Sequence, residues 1–180
     1  PVDKILPNGF DNSFVPRPSA FTHKRKVART KVLQIANCLT GADFDDDTLI
    51  VSTSGRYEFR NKGVDVYIEA MNRLKRDPRL EGKKVLALIE VPGWAGDARE
   101  DLKERLKSGQ RYDTALPVPM LTHWLHDMSQ DQVISMLKYL DFHNAGADRV
   151  KLIFLPCYLT GKDGILDLSY YDMVLGNDLC

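Results

Sequence analysis

Apolar positions along this 180-residue chain follow two rhythms. Three short runs rich in β-branched residues, Thr48 to Ser52, Lys84 to Val91 and Val150 to Leu155, are continuously hydrophobic, as expected of strands covered on both faces. Between them the spacing is helical. Val64, Tyr67, Ile68, Met71 and Leu74 form one stripe at i, i+3, i+4, i+7 and i+10. Val133, Met136, Leu137 and Leu140 form a second, for which Ser129 with Gln132 three residues on predicts the N-cap. A third helix is predicted after Leu168, carrying Tyr171, Val174 and Leu175, and a basic one from His23 to Leu39 ahead of the first strand. Strands alternating with helices predict βαβ units, so the fold class is α/β with a mostly parallel sheet flanked by helices. The proline-rich residues 1–22 read as a loop or linker and 23–180 as the domain. The stretch from Gly93 to Leu121 is the least regular, holding a short charged helix (Asp101 to Lys107) and then "ALPVPML".

Composition narrows the class. The chain is 43% hydrophobic and 28% charged, with 25 basic and 25 acidic residues and hence no net charge. That balance gives no footprint for nucleic acid or an anionic membrane, and no apolar stretch is long enough to span a bilayer. Three cysteines, Cys38, Cys157 and Cys180, show no CxxC spacing, which fits a reducing, cytoplasmic setting rather than a disulfide framework. The chain opens at Pro1 in a loop-like segment and stops at Cys180, where the alternating pattern would next supply a strand; both ends are read as cuts in a longer protein.

The chemistry concentrates in "LIVSTSGRYEFRNKGVDVYIEAMNRL": a strand, a polar loop with Gly55 and Gly63, then an amphipathic helix. In open parallel sheets ligands bind beyond the carboxyl ends of strands, where a helix N-terminus offers N–H groups to a phosphate. The loop adds Arg56, Arg60 and Lys62. Fixed cations of this kind stabilise a departing diphosphate without a metal, Arg by a bidentate grip and Lys as a point charge. On spacing alone a solvated loop with three basic residues remains an equal reading.

"SGRYEFRNKG" (Ser54 to Gly63) resembles the signature loop of the glycogen synthase family of animals, fungi and some bacteria. Other stretches resemble that family in the same order: "PNG" (Pro7 to Gly9), "PMLTHWL" with Thr122 and His123 aligned to a "CTHNM"-like segment, "AGADRVKLIFLPCYL", and "LDLSYYDMVLGNDL". The resemblance implies a GT-B architecture, of which this chain would be most of the Rossmann-like donor-nucleotide domain. It implies transfer of glucose, with retention of configuration, from UDP-glucose or ADP-glucose to the non-reducing end of an α-1,4-glucan, with no metal or cofactor. Arg56 and Lys62 fall where the family binds the donor diphosphate and steadies the leaving group. Gly55 belongs to the same binding loop. Arg60 sits at a variable position and is assigned no role. His123 is a donor-cleft residue or a hydrogen-bonded structural histidine.

Departures bound the resemblance. The family's acidic-aromatic motif, expected just after Cys180, and the N-terminal acceptor domain, expected before Pro1, lie outside the sequence, so the isolated chain is expected to be inactive. The connection from Val91 to Thr122 is shorter than in animal and fungal members, which points to the bacterial ones. "LPCYL" replaces "HPEFL". Two other readings stay open: a sucrose- or trehalose-phosphate-type GT-B transferase, and a non-catalytic interaction fragment. Elsewhere, His123 and His126 at i, i+3 lack the further ligands of a metal site. "HKRKVARTK" reads as a solvated helix face, and Trp94 as loop packing or a platform for a sugar ring.

Overall fold

The computed structural model describes Gly9 and residues 11–180; of the "PNG" resemblance, Pro7 and Asn8 lie outside them. Among the described residues, five α-helices and five strands follow in the order α1 (Pro18–Thr40), β1 (Leu49–Ser54), α2 (Val64–Lys75), β2 (Val85–Glu90), β3 (Ala95–Ala98), α3 (Glu100–Ser108), β4 (His123–Leu125), α4 (Gln132–Tyr139), β5 (Val150–Phe154) and α5 (Tyr170–Met173). The three strands predicted from continuous apolar runs are β1, β2 and β5. They form one parallel sheet in the order β1-β2-β5, with Leu49 opposite Val85 and Val85 opposite Val150. Single bridges extend both edges: Leu179 lies parallel to Val51 beside β1, and Leu121 parallel to Phe154 beside β5.

Successive residues of a strand point to opposite faces, and both faces of this sheet are covered, so these strands are largely apolar rather than alternating. Leu86 and Leu88 of β2 join Ile50, Ile153 and Leu155 in a core beneath α1, α3 and α5. Val85, Ala87 and Ile89 point the other way, joining Val150, Leu152 and Phe154 against α2 and α4. The helical stripe of α2 docks here through Val64, Ile68 and Met71, and that of α4 through Val133, Ile134 and Leu137. The α/β, Rossmann-like parallel sheet flanked by helices is therefore the observed fold.

Several local expectations are corrected. Helix α1 begins at Pro18 rather than His23; proline suits a first helical turn because its missing N–H needs no partner there. Ser129 does not cap α4. It folds back on Asp127, and Asp131 takes the cap by accepting from Ile134 N at 2.9 Å. The predicted third helix is short, tightening into a 3-10 turn at Val174–Gly176. The irregular stretch contains β3, which pairs antiparallel with β4 just beyond it, registered by Ala95 opposite Leu125 and Ala98 opposite His123.

The basic face of α1 is not simply solvated. Arg25 donates to the carbonyls of Leu175 and Asn177 and to Asp178 at 2.6 Å, and Arg29 donates to the carbonyls of Gly176, Asp46 and Thr48 and pairs with Asp178 at 3.0 Å. Asp178 in turn accepts from Ile50 N at 2.8 Å, so two arginines of α1 and one carboxylate hold the 175–179 segment on the edge of β1.

Candidate functional site

The loop between β1 and α2 alternates outward and inward. Arg56 and Arg60 are exposed, whereas Tyr57 and Phe59 pack on the apolar cluster beneath α2 and α4. Its backbone closes on itself: Glu58 N donates to Arg56 O at 2.7 Å, Lys62 N to Glu58 O at 2.9 Å and Gly63 N to Arg60 O at 3.0 Å. Gly55 (φ 141°) opens the loop and Gly63 (φ 67°) closes it, both in backbone conformations that disfavour a Cβ. The structure thus places Arg56, Lys62 and Gly55 in one hydrogen-bonded turn at the carboxyl end of β1. The Arg56 side chain is 78% exposed and meets Glu58 at 3.1 Å, an ion pair that solvent makes weak and exchangeable. Lys62 is exposed two residues before the first residue of α2.

The start of α2 differs from a free anion seat. Asp65 N donates to Phe59 O at 3.3 Å and Val66 N to the Asp65 carboxylate at 2.9 Å. Asp65 in the first turn already complements the helix dipole. An anion at this edge therefore meets side-chain cations, not a row of open amides.

Beside the loop, at the carboxyl ends of β1 and β2, lies a polar cluster that the sequence did not reveal. Glu90, 4% exposed, faces Ser54 across the ladder. Asn177 Nδ2 donates to Ser52 Oγ at 2.8 Å and to Glu90 Oε1 at 3.3 Å, leaving Glu90 Oε2 and Asn177 Oδ1 buried without partners. Burial pushes the Glu90 carboxyl up to about 8, against the opposing hydrogen bonds from Asn177 and Ser52. Ser54 Oγ contacts Tyr170 OH at 2.7 Å. The sequence does not mark this cluster, because Glu90 falls inside the apolar run from Lys84 to Val91 and Asn177 meets it only through the fold.

His123, the fourth candidate, is buried in β4. Its Nδ1 lies 3.0 Å from Thr122 Oγ1 and its Nε2 2.9 Å from the carbonyl of Asp163. His126 does not join it; that ring sits 5.0 Å from the exposed indole of Trp94. Among the described residues, one group has the spacing of metal ligands: His123, Cys157 and Asp163, within 4.8 Å of one another. Its donors are already engaged. Both imidazole nitrogens have the partners just named, and the Asp163 carboxylate accepts from the amides of Ile165, Leu166 and Asp167. The Cys157 thiol is pushed up to about 12 by burial and by the charge of Asp163, so it is a thiol at neutral pH.

A parallel sheet between two helical layers, with a cationic loop at the carboxyl edge of its first strand, defines a Rossmann-like α/β domain. The chain belongs to the glycogen synthase family, whose model matches residues 2–97 and 94–180. Among its relatives, glycogen [starch] synthase isoform 2 of Saccharomyces cerevisiae is 28% identical over 97% of the chain and 33% of the relative. The Neurospora crassa glycogen [starch] synthase is 26% identical over 98% of the chain and 33% of the relative. The liver glycogen [starch] synthase of Rattus norvegicus is 26% identical over 97% of the chain and 32% of the relative. The chain spans about a third of the length of these relatives. The yeast alignment runs over 239 positions, more than the 180 residues here, and the two matched pieces of the family model meet at 94–97, on β3. No helix among the described residues is long and apolar enough to cross a membrane.

Proposed function

We propose that the chain is the diphosphate-gripping part of the donor domain of a retaining glucosyltransferase that extends α-1,4-glucans from a nucleotide-glucose donor. The observation that supports this reading is the position of Arg56 and Lys62 in one closed turn at the carboxyl edge of the sheet, within a string that resembles the family's signature loop. As the glycosidic bond to the donor breaks, negative charge grows on the leaving diphosphate. Two cations carried on the loop's closed backbone offset that charge as it develops, the guanidinium by paired hydrogen bonds and the ammonium as a point charge. This reading requires no metal. The donor is UDP-glucose or ADP-glucose, and Gly55 lets the backbone approach it. His123 is read as a support for the cleft wall, since both its nitrogens are engaged. The acceptor glucan belongs to an N-terminal domain of the intact, cytoplasmic enzyme.

Transfer across a two-domain cleft needs donor, acceptor and charge stabilisers held together. Incubated with labelled UDP-glucose or ADP-glucose and glycogen, the isolated chain is expected to incorporate no label above a blank, while the intact protein does. Turnover by the isolated chain contradicts the division of labour. Absence of turnover by the intact protein with both donors contradicts the reading itself.

A further inference from the structure

Tyr57 ties the cationic loop to a distant helix. Its hydroxyl donates to Asp131 Oδ2 at 2.6 Å and accepts from Val133 N at 3.2 Å. Its ring lies tilted at 59° and 5.9 Å from that of Phe154, on the floor of the same cluster. Asp131 is doubly used, because its other oxygen accepts from Ile134 N at 2.9 Å and caps α4. One carboxylate therefore joins the first turn of α4 to the β1–α2 loop, 74 residues apart in sequence. Burial and the neighbouring Asp131 push the Tyr57 phenol upward, so it stays a donor. Arg56 immediately precedes this anchor, and its side chain is largely in solvent. Fixing Tyr57 fixes the peptide that carries Arg56, whose carbonyl also accepts from Glu58 N.

We propose that Tyr57 is a positioning residue: its bridge to Asp131 and Val133 holds Arg56 in the orientation that meets the donor diphosphate. The inference rests on the diphosphate reading of Arg56 given above. It separates Tyr57 from Phe59, which packs in the same cluster.

The test uses the intact protein in five forms: wild type, Tyr57→Phe, Arg56→Ala, the double variant of these two, and Asp131→Asn. Measurements are kcat and KM for the nucleotide-glucose, the dissociation constant of UDP by calorimetry, and Tm. Tyr57→Phe keeps the ring on Phe154 and removes only the hydroxyl. It is expected to lower kcat/KM about tenfold or more and to weaken UDP binding, because small misplacements of a charge-stabilising group are costly in rate. In the Arg56→Ala background the same change is expected to cost nothing further, as coupled residues behave in a double-mutant cycle. Asp131→Asn is expected to reproduce the loss while retaining the cap of α4, since Asn caps as well as Asp. A Tyr57→Phe enzyme with lowered Tm but unchanged kcat/KM overturns the inference. So does an equal loss in the two backgrounds. An Arg56→Ala enzyme as active as wild type removes the diphosphate reading and this inference with it, whereas a silent Tyr57→Phe beside a crippled Arg56→Ala removes this inference alone.

Discussion

Glu90 is the residue whose chemistry departs furthest from its sequence neighbourhood. It lies at the end of an apolar strand, its Oε2 and the Oδ1 of Asn177 both lack partners, and burial raises its carboxyl from an ordinary 4.5 to about 8. Between those values the folded chain holds a proton that the unfolded chain has released. Stability therefore falls as pH rises from about 4.5 through about 8 and levels off above, at about 1.4 kcal/mol for each unit of displacement. Glu90→Gln keeps the shape and removes the titration. Thermal melts across pH 5 to 9 are expected to show the decline in the native chain and a flatter profile in the variant; parallel profiles contradict the assignment. At this scale the sequence names Arg56, Lys62 and Gly55, and the fold gathers them in one turn. It was silent on Glu90, and it left His123 between two roles, because burial and partner choice are set by contacts with residues far along the chain.

Elements read from periodicity were legible wherever one pattern ran long enough: β1, β2, β5, α2 and α4 each have a core face defined by regular spacing. The short pair β3 and β4 was not, because "AGDA" has no β-branched residue and the pairing is made across an interval that no local pattern links. What orders that interval is a charge. Arg99 is fully buried, grips Asp101 at 3.0 and 2.6 Å, donates to the carbonyls of Pro117, Val118 and Leu121, and stacks 4.4 Å over the ring of Trp124. Arg99→Ala leaves those carbonyls without their donor and is expected to cost about 3 kcal/mol or more in denaturant unfolding. Arg99→Lys retains charge but not the planar fork, and is expected to recover only part of that loss. If either variant unfolds at the native midpoint, Arg99 does not organise the 117–121 segment. Caps were misread for a similar reason: Ser129 and Asp131 both suit an N-cap, and the bond from Tyr57 favours Asp131.

For the whole molecule, the resemblance of separate stretches in one order identified the family that the comparison establishes, and the two-sided burial of three strands anticipated the layered architecture. The chain spans about a third of the length of the relatives, so the proposed role is tested in the full-length protein. The most direct measurement is therefore kcat and Tm for Arg56→Ala, Lys62→Ala and Arg60→Ala in the full-length protein. All three cations are exposed in one loop, so their removal is expected to leave Tm nearly unchanged. Losing a donor that acts on developing charge costs roughly 3 kcal/mol, about a hundredfold or more in rate. The account predicts that loss in kcat for Arg56→Ala and Lys62→Ala, with Arg60→Ala close to wild type. Equal damage from Arg60→Ala, or wild-type kcat in all three, would contradict it.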